Sequence, residues 1–205
     1  MTPPTTEVAF TPSVKAEQER RGSRRAYAKL EAKGGWSDTV TAELAAMIAQ
    51  VRSFYLATAN TDGQPYIQHR GGPPGFLRVL DPHTLGFADF SGNRQYITAG
   101  NLADNPRAFI FLMDYTRRRR VKLWGRARMV TDDPELVARL MPDGYKARPE
   151  QAILFTLAAW DVNCQQHIPH LLPAEDVAAA IEALKERVRE LETQITLQTG
   201  RSKLD

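Results

Sequence analysis

The sequence predicts an α+β protein, mainly β, in which a small antiparallel barrel is flanked by helices. Three observations favour this fold class. Glycine and proline interrupt the region after residue 53 at short, even intervals, which is typical of short strands joined by tight turns. Asp62-Gly63 is a strong hairpin signal, because glycine accepts a positive φ. Residues 118–130 alternate with the period of a strand that has one buried face.

The composition sets the size and general class of the protein. Its 205 residues are 42% hydrophobic and 25% charged, which suits one domain with an appended helix or two and argues against disorder. No run of about 18 apolar residues occurs, so we expect no membrane span, and the N-terminus shows no signal peptide. The single cysteine, Cys164, excludes an intramolecular disulfide and indicates a reducing cytoplasm.

The chain is predicted to have three segments. These are an N-terminal extension with helices (1–52), a barrel domain (53–170) and a C-terminal amphipathic helix (171–205). We predict helices over 13–33 and 39–52, the second of them capped by Asp38 or Thr39. The predicted strands are 54–59, 65–70, 76–80, 84–90, 107–115, 118–130 and 151–163, and a helix is the alternative for the last of these.

Three further helices are predicted. One opens at Ser91-Gly92-Asn93, with Ser91 or Asn93 as its cap, and another covers 132–140. The third runs from Pro173 to about residue 197. Its apolar residues are spaced as a heptad seam, namely Val177, Ile181, Leu184, Val188, Leu191 and Ile195. We expect this helix to pack on its own barrel, and the alternative is a contact between two chains.

The net charge of +3 is unevenly distributed. Residues 12–33 carry a net +4 and residues 117–128 a net +7, so the remainder is acidic. On the predicted strand, the even positions are almost wholly cationic: Arg118, Arg120, Lys122, Trp124, Arg126 and Arg128. Like charges on one strand face repel, which favours an anionic partner over a merely solvated face.

Two segments are candidate anion sites. In Phe90–Gln95, Gly92 allows close backbone approach and a helix N-terminus follows, with Arg94, Gln95 and Thr98 as donors. The alternative is an ordinary capped helix. In His69–Gly75, Arg70 ends a strand, and a Gly/Pro loop beginning at Gly71 could present amides to a flat ligand. The alternative is a wide turn, with His69 a packed histidine rather than a base.

The segment Trp160–His167 is the last candidate. Cys164 and His167 have half the spacing of a zinc site, but no second cysteine pair exists, so we expect no metal and an inert thiol. Trp160, Gln165 and His167 are instead candidates to touch an aromatic ligand. No Walker loop, dinucleotide fingerprint, nucleophile elbow or zinc-protease motif occurs, which excludes the common nucleotide-binding and hydrolase classes.

Four blocks carry a resemblance to a known family. They are Tyr66–Phe76, Ala88–Tyr96, Gly100–Pro106 and Arg120–Gly125. Their order and spacing, over about Phe54–Ile168, resemble the pyridoxamine 5'-phosphate oxidase-like, FMN-binding split-barrel family. That resemblance implies a six-stranded split barrel that forms a homodimer and holds FMN near the subunit interface.

The resemblance also implies roles for individual residues. The FMN phosphate would be bound by Arg70 and Asn93, with Gln95, Thr98 and Arg94, beside His69 and Gly71. Lys122 and Trp124 would face the flavin from the basic strand, and Trp160, Gln165 and His167 would lie near it. The authentic oxidase has an Arg-x-His element near its C-terminus, which this sequence lacks, so pyridoxamine phosphate oxidation is not expected.

The leading functional hypothesis is an FMN-dependent oxidoreductase acting on an unknown small molecule, with NADPH or NADH as its donor. The flavin would supply the chemistry, so no catalytic side chain is assigned, and Arg70 or Lys122 would tune it. One alternative is a non-catalytic flavin or haem binder. Another is a nucleic-acid-binding protein that uses Arg117–Arg120 and the basic helix, against which stands the acidic remainder of the chain.

Overall fold

The computed structural model describes residues 4–163 and 165–201, and the chain divides into two compact units. The first unit comprises residues 1–114 and 119–166, and the second comprises residues 115–118 and 167–205. Cys164, for which an inert thiol was predicted, lies outside the described residues.

The first unit begins with short helices rather than the single one predicted over 13–33. After a 3₁₀ turn at Thr5–Val8 come α1 (Pro12–Arg20), α2 (Arg24–Glu31) and α3 (Ala42–Gln50). Gly22 separates α1 from α2 with a φ of 78°, a conformation that ends a helix and suits glycine. The cap of α3 is Thr41, whose hydroxyl accepts from the Leu44 amide at 3.3 Å, so the predicted caps Asp38 and Thr39 are wrong.

The sheet has seven antiparallel strands, one more than the split barrel that the resemblance implied. They are β1 (Ser53–Ala59), β2 (Pro65–Gly71), β3 (Arg78–Asp81), β4 (Thr84–Phe90), β5 (Arg107–Asp114), β6 (Arg119–Val130) and β7 (Pro149–Asn163). Their spatial order is β2-β1-β5-β6-β7-β4-β3. The prediction of a mainly antiparallel sheet with helices is confirmed, and so is the choice of strand over helix for the last segment.

The inside of the curved sheet forms the core. Along β6, Val121, Leu123 and Ala127 are buried while Arg126 and Arg128 are exposed, which confirms the alternation read from the sequence. The core is completed by side chains from β1, β5 and β7 and by one face of α3, including Leu56, Ile110, Phe155, Leu44 and Ile48. Two helices stand between strands, α4 (Ile97–Asp104) and α5 (Pro134–Leu140).

The second unit joins a turn to the C-terminal helix. Arg118, predicted on the cationic strand face, lies in this turn at a φ of 51°, because β6 begins one residue later. Its guanidinium donates to the Ile168 carbonyl at 3.1 Å, and the Thr116 hydroxyl donates to the Leu171 carbonyl at 3.2 Å. The helix, α6, covers Ala174–Arg201. Within the described residues, no helix combines the length and the hydropathy that crossing a membrane requires.

Candidate functional site

An ion pair links β2 and β4, which lie near opposite ends of the sheet order. The Arg70 guanidinium of β2 donates to the Asp89 carboxylate of β4, and the two side chains are only 13% and 12% exposed. The second oxygen of Asp89 accepts from the Gln151 amide at 3.0 Å. Because Asp89 is itself held by β7, it fixes the Arg70 side chain in one position.

Arg70 has more hydrogen-bonding capacity than its neighbours use. Its Nε is buried and, among the described residues, has no hydrogen-bond partner. A buried donor without an acceptor costs roughly 1–3 kcal/mol, and each such group in a native structure calls for an explanation. Because this nitrogen is closed off from solvent, the unpaired donor is a cost of holding Arg70 between β2 and β4.

The turn between β4 and α4 differs from the one predicted. The helix begins at Ile97, its N-terminal boundary residue is Tyr96, and neither Ser91 nor Asn93 caps it. The Ser91 hydroxyl donates instead to Glu150 at 2.7 Å, and the Asn93 side-chain oxygen accepts weakly from the Gln95 amide at 3.4 Å. The predicted caps fail because the chain makes a longer turn before the helix starts.

Two residues of this turn are held in a left-handed conformation. Arg94 has a φ of 60° and Tyr96 a φ of 55°, which costs a non-glycine residue of order 1–3 kcal/mol. The Arg94 Nε donates to the Tyr96 hydroxyl at 3.2 Å, and this hydrogen bond raises the pKa of Arg94 above its ordinary value. Residues held this way cluster at ligand sites, where the surrounding structure fixes them.

α4 is anchored so that its N-terminus faces the ion pair. The Thr98 hydroxyl, which is buried, donates to the Gln68 side-chain oxygen of β2 at 2.9 Å. The buried Asn101 amide donates to the Thr58 hydroxyl of β1 at 3.0 Å. In the part of the chain that the structure describes, no side chain caps the first amides of α4, so these donors and the helix dipole remain available to an anion.

These elements enclose a depression that brings together most of the predicted phosphate-binding residues. Two adjoining cavities, of about 50 and 180 Å³, share a lining of Gln68, Arg70, Asp89, Phe90 and Gly92. The smaller cavity also contacts Asn93, Arg94 and Thr98, and the larger one contacts His69 and Gly71. Gln95 is exposed on the turn beside them. His69 alternates with Arg70 along β2, and its ring meets the Tyr55 ring edge-on, with centroids 5.8 Å apart.

Two other predicted residues, Lys122 and Trp124, form a separate cluster with Asp161 of β7 and Trp36, whereas Trp160 packs against the core. The ring of Trp124 stacks on Trp36 with centroids 4.6 Å apart and planes 7° apart. The Lys122 ammonium lies 5.1 Å from the Trp124 ring centre and pairs with Asp161 at 2.9 Å. The Trp160 indole donates to the Thr39 carbonyl at 2.8 Å.

The N-terminal segment is therefore part of this cluster, which sequence reasoning missed. Neither Lys122, Trp124 nor Trp160 lines the two cavities described above. That Lys122, Trp124 and Trp160 face a flavin remains a prediction. Gln165 is exposed at the end of the first unit, and His167 belongs to the second, where it has a φ of 61°. The signal that was overlooked is Trp36, a large aromatic residue directly after the Gly34-Gly35 break.

Comparison with protein families identifies the chain from a range that contains its whole sheet. Residues 40–164 match the family model of pyridoxamine 5'-phosphate oxidase. The chain belongs to this family. The matched range includes the whole of the Arg70 depression and the seven strands, so the sequence resemblance is confirmed. Comparison with curated proteins found no match.

Solved structures share the fold of this family member at low sequence identity. HupZ of Group A Streptococcus is 19% identical with a TM-score of 0.51, over 65% of this chain and 99% of that one. A variant of HupZ is 20% identical with a TM-score of 0.50, over 60% and 99%. An FMN-binding protein from Syntrophomonas wolfei is 15% identical with a TM-score of 0.46, over 78% and 97%. The HupZ matches establish a shared fold and nothing about activity.

Within residues 4–163 and 165–201, no three His, Cys, Asp or Glu side chains are placed to hold a metal ion. The Arg70 depression is lined by guanidinium, amide and hydroxyl groups and by the N-terminus of α4, together with the carboxylates of Asp89 and Glu150.

Proposed function

We propose that this protein binds FMN, with the phosphate in the Arg70 depression, and acts as an FMN-dependent oxidoreductase on a small molecule. The single observation that carries the proposal is the Arg70 guanidinium, which Asp89 holds at the wall of a depression that the first residues of α4 also line. Membership of the pyridoxamine 5'-phosphate oxidase family supports it.

The size of the depression fits one end of FMN rather than the whole molecule. Pockets that enclose a drug-sized ligand measure about 300–1,000 Å³. The two cavities here, about 50 and 180 Å³, suit a phosphate and part of its chain. The flat ring system would then extend over the surface outside β2. A second subunit is expected to cover it, so the proposal includes a homodimer.

The depression holds the phosphate by positioned donors more than by net charge. Asp89 offsets the charge of Arg70, and Glu150 lies close enough to Arg94 to raise its pKa further. The unpaired amides of α4, the Arg70 guanidinium and the Asn93 side chain supply the hydrogen bonds. Such charge-assisted hydrogen bonds contribute roughly 1.5–3 kcal/mol each.

The residues of this chain bind and orient, while bound FMN supplies hydride and electron transfer. Gln68 is fixed by Thr98, so its amide nitrogen is presented in one direction beside Arg70. Lys122 pairs with Asp161 and lies against two indole rings, so both candidates to tune the flavin, Arg70 and Lys122, have a carboxylate partner. We propose NADPH or NADH as the donor and the reducing cytoplasm as the location.

The decisive experiment compares FMN with riboflavin, which lacks the phosphate. Binding is measured by quenching of flavin fluorescence for the wild type, Arg70→Ala and the matched control Arg126→Ala. Arg126 is an exposed arginine of β6 outside the depression. We expect the wild type to prefer FMN, and Arg70→Ala to weaken FMN binding by about 1.5–3 kcal/mol, or roughly 10- to 150-fold.

Riboflavin binding should stay unchanged in Arg70→Ala. That result would also show that the variant is folded. If Arg70→Ala does not fold, Arg70→Lys replaces it and should lose most of the preference for FMN, because a lysine ammonium lacks the planar fork of donors of a guanidinium. Equal affinity of the wild type for FMN and riboflavin would refute the phosphate site. Anaerobic reduction of bound FMN by NADPH or NADH then separates an oxidoreductase from a non-catalytic binder.

A further inference from the structure

The C-terminal helix α6 presents a continuous apolar seam to solvent. Six side chains spaced four and three residues apart form it, and each is between 39% and 65% exposed: Val177, Ile181, Leu184, Val188, Leu191 and Ile195. An apolar stripe of this length on one helix face marks an interaction surface. The spacing is that of a coiled coil, so we expect the partner of this seam to be another helix.

The residue types along the seam indicate how many helices a parallel coiled coil of this sequence would contain. With the heptad letters assigned by the spacing, Ile181, Val188 and Ile195 take position a, and Val177, Leu184 and Leu191 take position d. In parallel coiled coils, β-branched residues at a combined with leucine at d favour two strands. Two of the three d positions are leucine and all three a positions are β-branched, which matches that rule.

The charged residues beside the seam agree with a parallel pair. Arg187 occupies position g, and Glu192 occupies the e position five residues later, which is where a parallel partner helix meets it. Two further pairs lie along the same helix: Lys185 with Glu182 at 2.7 Å and Arg189 with Glu186 at 2.8 Å. Arg187 also reaches Glu190 of its own helix at 2.8 Å, on the exposed side.

We propose that α6 pairs with α6 of a second copy of this chain as a parallel two-stranded coiled coil. Full burial of a Val, Leu or Ile side chain corresponds to about 60–120 Å² at 25 cal/mol per Å², so twelve of them bury about 700–1,400 Å². That area reaches the range of specific interfaces, about 1,000 Å² or more. A parallel pair has a two-fold axis along its length, the symmetry of an isologous dimer.

The test is disulfide cross-linking in the full-length chain. Cys164→Ser removes the only native cysteine, and Leu191→Cys then places one thiol on the seam. In a parallel pair the two copies of residue 191 face each other in one layer. The matched control is Thr193→Cys, two residues away at position f on the opposite side of the helix. Products of mild oxidation with glutathione are separated by non-reducing electrophoresis.

We expect Leu191→Cys to form a disulfide-linked dimer at least ten times faster than Thr193→Cys. Equal rates, or no dimer from Leu191→Cys, would overturn the proposal. A mixture of Ile181→Cys and Leu191→Cys chains that cross-links faster than Leu191→Cys alone would show an antiparallel pair and also overturn it. FMN binding is measured separately on the same variants and does not depend on the cross-linking result. Failure of the coiled-coil proposal therefore leaves the FMN proposal testable, and the reverse also holds.

Discussion

Gly125 lies where the register of β6 against β7 shifts. Because glycine has no side chain, the backbones of β6 and β7 can approach closely at this position. A Cβ at this position would stand 2.2 Å from the Thr156 carbonyl oxygen and 2.6 Å from the Phe155 ring. Contacts that short cannot be relieved by rotating a flexible side chain, because one partner is backbone. The glycine is therefore required by close approach rather than by backbone dihedral freedom.

Gly125→Ala should lower the free energy of unfolding by about 3 kcal/mol, the upper part of the usual range for overpacking. Urea denaturation measures the change. Gly100→Ala is the matched control: its Cβ would meet nothing within 4 Å in α4, and alanine should stabilise that helix by about 0.5–1 kcal/mol. An equal loss in both variants would contradict the steric explanation.

Arg70 and Trp36 show which properties of a single residue the sequence predicts and which it does not. Arg70 was predicted as an anion donor because it ends a strand before a Gly/Pro loop, and the structure places it in a depression with Asn93, Arg94 and Thr98. Its partner Asp89 was not predicted, since 19 residues separate the two. Trp36 escaped notice for the same reason: it stacks on Trp124, and no local pattern indicates such a distant contact.

Strands were easier to predict than helix ends. The turns of the barrel are marked by local Gly and Pro signals, so the predicted strand 84–90 matches β4, and others differ by one or two residues. The start of α4 was placed six residues too early. Ser-Gly-Asn is a good local cap, but the Ser91 hydroxyl is taken by Glu150, 59 residues later, and the Arg94 and Tyr96 conformations postpone the helix.

Glu31 holds the two N-terminal helices together. Its carboxylate pairs with Lys15 of α1 at 3.0 Å and with Arg24 of α2. Burial raises the pKa of Glu31, but the hydrogen bonds from Arg24 and Lys15 more than compensate, so the pKa lies below its ordinary value. A depressed pKa in the folded state contributes stability above the unfolded value of about 4.3, and this stability is lost as the pH falls further.

Acidification from about pH 5 to pH 3 should therefore loosen the N-terminal segment. Tryptophan fluorescence reports the change, since Trp36 would leave its stack on Trp124. Glu31→Gln should abolish this pH-dependent step, whereas Glu19→Gln, an exposed neighbour on α1, should keep the wild-type profile. A Glu31→Gln profile identical to the wild type would show that another group controls the segment.

Acidic side chains of the protein itself neutralise part of the positive charge of the basic segment, residues 117–128. Arg119 pairs with Glu43 of α3 at 2.7 Å, and Lys122 pairs with Asp161 of β7. Of the seven basic residues in 117–128, at least these two are therefore offset by acidic side chains from elsewhere in the first unit. A nucleic-acid interface would need such charges directed at phosphates, and pairing inside the protein reduces that attraction.

We accordingly expect no shift of random double-stranded DNA by the protein in an electrophoretic assay at about 150 mM salt. The comparison variant is Glu43→Gln, which removes the carboxylate partner of Arg119. This variant should bind DNA more strongly than the wild type at low salt. Wild-type binding that survives at the higher salt would restore the nucleic-acid hypothesis.

The Arg70–Asp89 pair has a consequence for solubility. β2 is an edge strand, joined by its ladder to β1 alone, and edge strands expose N–H and C=O groups on which another chain can add a strand. The Arg70–Asp89 ion pair ties this edge strand to β4. Loss of Arg70 would release the strand from β4 and make the addition of a further strand easier, so solubility alone is a reason for an arginine at this position.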